Sequence, residues 1–155
     1  MMVSPVLPAR KSERASGALR GVLAVVSGDR DRDEQTLRWA CALAAEHEGR
    51  LTVLCLWSLP PMWPWVALSG AGAALQMLEL HRRELLSWIQ ERVRAQNIEP
   101  ARVLSARHCD APARVVAAEL SRGEYTCVVG SRRTIGRRAA RRFRRRRPGL
   151  TLVRV

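Results

Sequence analysis

The sequence predicts a single α/β domain built as a doubly wound, parallel five-stranded sheet with helices on both faces. Three observations carry this. Short apolar, β-branched runs recur as "GVLAVVS", "LTVLCLW" and "YTCVVG", the pattern of strands covered on both faces. Segments with helical apolar spacing alternate with them. Each junction is marked by Gly, Pro or Asp, so the order reads βαβαβαβαβ.

Each element can be justified in turn. Gly21–Ser27 is the first buried strand, and Gly28–Asp33, "GDRDRD", is a polar turn. "EQTLRWACALAAEHEG" then places Leu37, Ala40, Cys41, Ala44 and Ala45 on one helical face, with acidic residues before it and Gly49 after it. Leu51–Trp57 is the second strand. A long loop follows from Ser58 to Gly72, and a helix over Ala73–Gln96 carries the stripe Leu75, Leu78, Leu85, Trp88, Ile89 and Val93. Ala101–Ala106 is shorter and more polar, as an edge strand would be. Asp110 is the expected N-cap of the next helix, with Pro112 in its first turn and Gly123 beyond its end. Tyr125–Gly130 is again a buried strand. An arginine-rich helix and the closing strand Leu150–Val155 complete the order.

The chain has 155 residues, enough for one domain with a real core, and its hydrophobic content of 47% excludes wholesale disorder. Residues 1–18 read as a flexible polar tail without the apolar region of a signal peptide, leaving 19–155 as the domain. The net charge is +13, but Gly130–Val155 alone holds eleven arginines and no acidic residue. The remainder is close to neutral. One cationic element of this kind attracts nucleic acid, anionic lipid or phosphorylated ligands.

No charged residue occurs between Leu51 and Leu78, yet a membrane span would need about 20 helical residues there. Pro60, Pro61 and Pro64 interrupt the run, so no transmembrane segment is expected. Met62, Trp63 and Trp65 in this loop could form a partner-binding patch; folding over the mouth of the cleft is the preferred expectation. Cys41, Cys55, Cys109 and Cys127 form no CxxC pair, which points to a reducing compartment. Cys109, just before a helix start, is a candidate reactive thiol, with His108 and Asp110 too adjacent to it for a metal site. His47 and His81 are expected on solvated helix surfaces. No Ser-His-Asp or paired-carboxylate arrangement is argued.

Laid out in this order, the chain resembles the universal stress protein family over nearly its whole length after the tail. The resemblance rests on "TLRWACALA" in the first helix, on "CDAPARVVAAEL", and on "VVGSRR" from Val128 to Arg133. It implies an adenine nucleotide alpha hydrolase-like fold, strand order 3-2-1-4-5, a cytoplasmic homodimer through the last strand, and a cleft between the first and fourth strands. One branch of that family binds ATP, using an Asp at the end of the first strand and a glycine pattern G-x-x-G, nine residues, then G-S or G-T. Backbone N–H groups of that loop cradle the phosphates, and bulk at the glycine positions blocks the approach.

This sequence departs from that pattern. The Asp position falls on Val26 or Ser27, Gly130 keeps the first glycine, Arg133 holds the second, and Phe143 and Arg144 stand where the final pair belongs. The expected residual cleft is Ser27, Asp29, Val129, Gly130, Ser131 and Gly136, with Asp29 and Gly136 as substitutes for the missing carboxylate and turn. The reading is therefore a non-catalytic stress-response or regulatory module that has lost ATP binding and takes no cofactor. An ATP-binding member with a remodelled phosphate loop is the alternative.

The arginine segment supplies a further one. Ile135, Ala139, Ala140 and Phe143 form a narrow apolar stripe, leaving Arg137, Arg138, Arg141, Arg142, Arg144 and Arg145 outward. Like charges at i,i+4 cost a few tenths of a kcal/mol each. Retaining them invites a polyanion such as RNA or DNA, bound without sequence specificity.

Overall fold

The computed structural model describes residues 21–57, 63–107 and 112–155. The elements run β1 (Gly21–Val26), α1 (Arg30–Glu46), β2 (Arg50–Trp57), α2 (Trp63–Leu68), α3 (Ala71–Arg94), β3 (Arg102–Arg107), α4 (Pro112–Arg122), β4 (Cys127–Gly130), α5 (Arg137–Arg146) and β5 (Thr151–Arg154). All four strand pairings are parallel, in the order β3-β2-β1-β4-β5. The doubly wound sheet and its order thus match the expectation, and the more polar β3 lies at an edge.

Why the apolar runs lack alternation is visible in the core. Every residue of β1 is buried because each face of the strand meets a helical layer. Val22, Ala24 and Val26 belong to a cluster with Leu37, Cys41 and Ile89, contributed by α1 and α3. Leu23 and Val25 face the other way, into a cluster with Val116, Leu120 and Phe143 of α4 and α5. One layer is therefore α1–α3 and the other α4–α5.

Several local expectations are corrected. The helix after β1 begins at Arg30, so Arg30–Asp33 belong to α1 and not to a turn. Residues 63–68 are helical where a continuous loop is expected; Pro64 falls at the second residue of α2, inside the first turn, where its missing N–H costs nothing. On α3, Leu85, Ile89 and Val93 are buried and Leu78 and Trp88 pack beside the core, but Leu75 is 66% exposed. The strand β4 starts at Cys127, and Tyr125 is instead buried below it, donating from its hydroxyl to Glu119 Oε1 at 2.6 Å. The arginine helix starts at Arg137, which leaves Ile135 in the preceding turn, fully buried. His81 is half-buried in edge-on contact with Trp57, ring centroids 5.7 Å apart, and is not a solvated surface group. The tail, Asp110, Cys109 and Met62 lie outside the described residues.

Candidate functional site

In a parallel sheet of this kind the ligand cleft opens at the carboxyl ends of the strands where the order reverses. Here that point lies between β1 and β4, whose ends are in register at Val25 and Gly130. Two connections frame it: Ser27–Asp29 after β1 and Ser131–Gly136 after β4.

The first connection is organised by Asp33, a carboxylate that the sequence reading did not select. It sits one turn into α1, only 1% exposed. Its Oδ1 accepts from Ser27 N at 2.9 Å and from Ser27 Oγ at 3.2 Å, and its Oδ2 accepts from Gly28 N at 2.7 Å. Gly28 has φ +86°, a conformation that favours glycine, and packs between Leu85 and Trp57. Burial raises the Asp33 carboxyl above its ordinary range, against the opposing pull of the Ser27 and Gly28 bonds. Burial, and next the Asp33 charge, push the Cys55 thiol up to about 12. Asp29, the carboxylate expected to substitute here, is exposed and pairs with Arg32 at 3.4 Å. Sequence alone offers one signal for Asp33: an acidic residue four positions after Asp29 on the strip that continues to Leu37 and Ala40.

The second connection folds back on itself. Thr134 N donates to Ser131 Oγ at 3.1 Å, Thr134 Oγ1 donates to Ser131 O at 3.0 Å, and Ile135 N donates to the same carbonyl at 2.9 Å. Arg132 N donates to Val155 O at 3.3 Å. Three of the amides that could cradle a phosphate thus already have acceptors within the fold. Ile135 fills the space above Gly130, where a β-carbon would lie 2.5 Å from Ile135 Cδ1. Gly130 is needed for this close approach. Gly136 occupies the N-cap position of α5 with φ −65°, open space where a β-carbon would stand, and no side-chain cap. Nothing in its conformation requires glycine. Val129 is completely buried in the α1–α3 core, so only its backbone could meet a ligand.

The structure therefore brings Ser27, Val129, Gly130 and Ser131 to one end of the sheet, with Asp33 holding the Ser27 side. The arginines lie apart from them. Arg137, Arg138, Arg141, Arg142, Arg144 and Arg145 are all exposed on α5, and among the described residues none of them forms an ion pair.

Fold and cleft together define a doubly wound α/β chain with a cleft at the switch point of its sheet. The model of the "Universal stress protein family" matches residues 19–147, and the chain belongs to that family. No curated protein matches the sequence. Among solved structures, a universal stress protein family member from Burkholderia pseudomallei is 18% identical, covering 91% of this chain and 98% of its own, with a TM-score of 0.57. The universal stress protein from Archaeoglobus fulgidus in complex with dAMP is 22% identical over 88% of this chain and 96% of its own, with a TM-score of 0.54. A universal stress protein in complex with cAMP is 15% identical over 89% and 97%, with a TM-score of 0.52. These likenesses establish the shared fold.

Proposed function

We propose that this chain is a non-catalytic, regulatory member of its family that no longer holds ATP in a phosphate loop after β4. The observation that carries the reading is the closed turn Ser131–Ile135. Three of its amides, those of Arg132, Thr134 and Ile135, already have acceptors in Val155 and Ser131, and Ile135 fills the space above Gly130. An anion entering there would have to break these bonds and displace a buried isoleucine, an uphill exchange. The two buried carboxylates among the described residues serve structure: Asp33 holds the β1 loop and Glu119 accepts from Tyr125. The buried, unpaired thiols of Cys41, Cys55 and Cys127 agree with a cytoplasmic setting.

The same reading makes the chain a homodimer through β5. Thr151 N and Val155 N donate to β4-side carbonyls, at Thr126 O and Gly130 O. Strand alternation then turns the N–H and C=O groups of Leu152 and Arg154 outward along an open edge. A second copy, related by a two-fold axis, would satisfy them.

A second reading, nucleotide binding by a remodelled loop, draws support from the relatives solved with dAMP and cAMP. Thermal unfolding with millimolar ATP, adenosine, pyrophosphate or sulfate separates the two. The proposal expects no stabilisation specific to adenine compounds; a concentration-dependent rise with ATP and adenosine, absent with sulfate, would overturn it.

A further inference from the structure

The two faces of the sheet differ sharply in charge. On the α1–α3 layer, seven basic residues are balanced by seven acidic ones, many of them paired, as in Arg38–Glu34 and Arg82–Glu79. On the α4–α5 layer, nine arginines face one acidic residue, Glu119, which is buried and already engaged by Tyr125. The protein is a slab that is neutral on one side and strongly cationic on the other.

We propose that the α4–α5 face docks the phosphodiester backbone of nucleic acid, and that two copies joined at β5 present this face doubled. The doubling rests on the homodimer reading above. A two-fold axis that pairs two β5 strands antiparallel stands perpendicular to the joined sheet, so both α4–α5 layers come to the same side. Along α5, Arg137, Arg141 and Arg145 form one i,i+4 row and Arg138, Arg142 and Arg146 a second. Successive arginines in a row rise about 6 Å along the axis, which suits a linear array of phosphates better than a single anion. Planar guanidinium groups grip phosphate oxygens in pairs. The groove between α4 and α5, about 240 Å³, adds Ser121, Arg146 and Arg147 at the lower end of the same surface.

Lipid is the other anionic surface a cationic helix can meet, and α5 is built against it. Interfacial helices push an apolar face into the bilayer. In α5 the apolar residues Ala140 and Phe143 are buried against the sheet with Ala139 beside them, and the solvent-facing arc is arginine alone. No exposed aromatic or amide side chain accompanies those arginines on α5, whose one aromatic residue, Phe143, is buried, so the interaction reads backbone and not base.

Fluorescence anisotropy of a labelled 20-base-pair duplex of arbitrary sequence, at several salt concentrations, tests this. The logarithm of the binding constant should fall steeply with the logarithm of salt. In the Arg138→Gln/Arg141→Gln/Arg142→Gln/Arg145→Gln variant the slope should become shallower by about three to four for one face. A control variant, Arg32→Gln/Arg38→Gln/Arg83→Gln/Arg94→Gln, removes the same charge from the neutral layer and should leave the slope close to wild type. Equal losses in both variants would overturn the proposal, as would tighter binding to phosphatidylserine-containing vesicles than to the duplex. Arg154→Pro removes one outward N–H of β5, with Arg154→Gln as its charge control, and dilution of the wild-type protein below its dimer dissociation gives the same comparison without substitution. The doubled face predicts two copies per duplex and a slope about halved when the copies separate. A monomeric wild-type protein would remove the doubling and the dimer reading, while the comparison of α5 with the neutral layer would still decide the docking face.

Discussion

Ile135 lies directly over Gly130, so close that a β-carbon added to Gly130 would stand 2.5 Å from Ile135 Cδ1 and 2.9 Å from its Cγ1. A glycine at the end of the fourth strand reads in sequence as the start of a phosphate turn. In the folded chain it is the seat of a buried side chain. The glycine at this position has a packing role.

Gly130→Ala should therefore destabilise the fold by about 1–3 kcal/mol, the cost of forcing bulk into a packed interior. Ile135 is completely buried and has little room to move away, and Thr134 Oγ1 stands 3.1 Å from the added carbon. Adding Ile135→Val removes the methyl carbon nearest the clash, so the double variant should recover part of the loss. Urea denaturation of the three proteins checks this; an additive effect would contradict the proposed contact.

Asp33 ties stability to pH. Its carboxyl is held above the ordinary value of 3.8 by burial. Just above that value the folded chain retains a proton that the unfolded chain has released. This contribution therefore increases stability as the pH falls through the folded pKa towards 3.8, and diminishes as the pH rises through it. Asp33→Asn removes the titration and leaves an amide group facing the Ser27 and Gly28 N–H donors. The unfolding free energy of wild type minus that of Asp33→Asn should rise from pH 7 towards pH 4. A constant or falling value would contradict the burial argument.

Tyr125→Phe should cost about 1–3 kcal/mol, because Glu119 Oε1 would lose a 2.6 Å donor while remaining buried. Arg102, at 3.9 Å and on an exposed side chain, is too far to replace that bond. The double variant Tyr125→Phe/Glu119→Leu should recover stability, since it removes the stranded carboxylate together with its donor. Thermal unfolding of the pair reports the coupling.

The thiols give a readout of core integrity. Burial pushes Cys41 and Cys127 up to about 11 and, with the Asp33 charge, Cys55 up to about 12. At pH 8 these three should react with a disulfide reagent only at the rate of unfolding, whereas urea-unfolded protein should react at once. Rapid native labelling of Cys55 would show that the sheet opens beside Asp33.

The sheet was legible because β1, β2 and β4 are buried on both faces, and continuous apolar runs report that directly. The α4 boundaries were legible from Pro112 and Gly123. The site was legible only in part. Asp33 lies in "GDRDRD", where the composition of a polar turn masks the first turn of α1; only the backbone amides of Ser27 and Gly28 distinguish it from its neighbours. Ile135 falls at helical spacing from Ala139 and Phe143, so periodicity assigned it to α5, although that helix starts at Arg137 with Gly136 as its N-cap. The helix α2 was hidden by the prolines around it, because proline inside the first turn is compatible with a helix that residue counting alone would reject. Charge segregation between the two layers needs the sheet topology, because α1 and α3 are separated in sequence by β2.

The most direct test of the proposed loss of nucleotide binding is the nucleotide content of the protein itself. Protein purified without added nucleotide is denatured, and the supernatant is resolved by ion-exchange chromatography with absorbance detection. The account predicts adenine nucleotide far below one equivalent per chain, unchanged in Gly130→Ala. Release of about one equivalent of ATP or AMP per chain would contradict it.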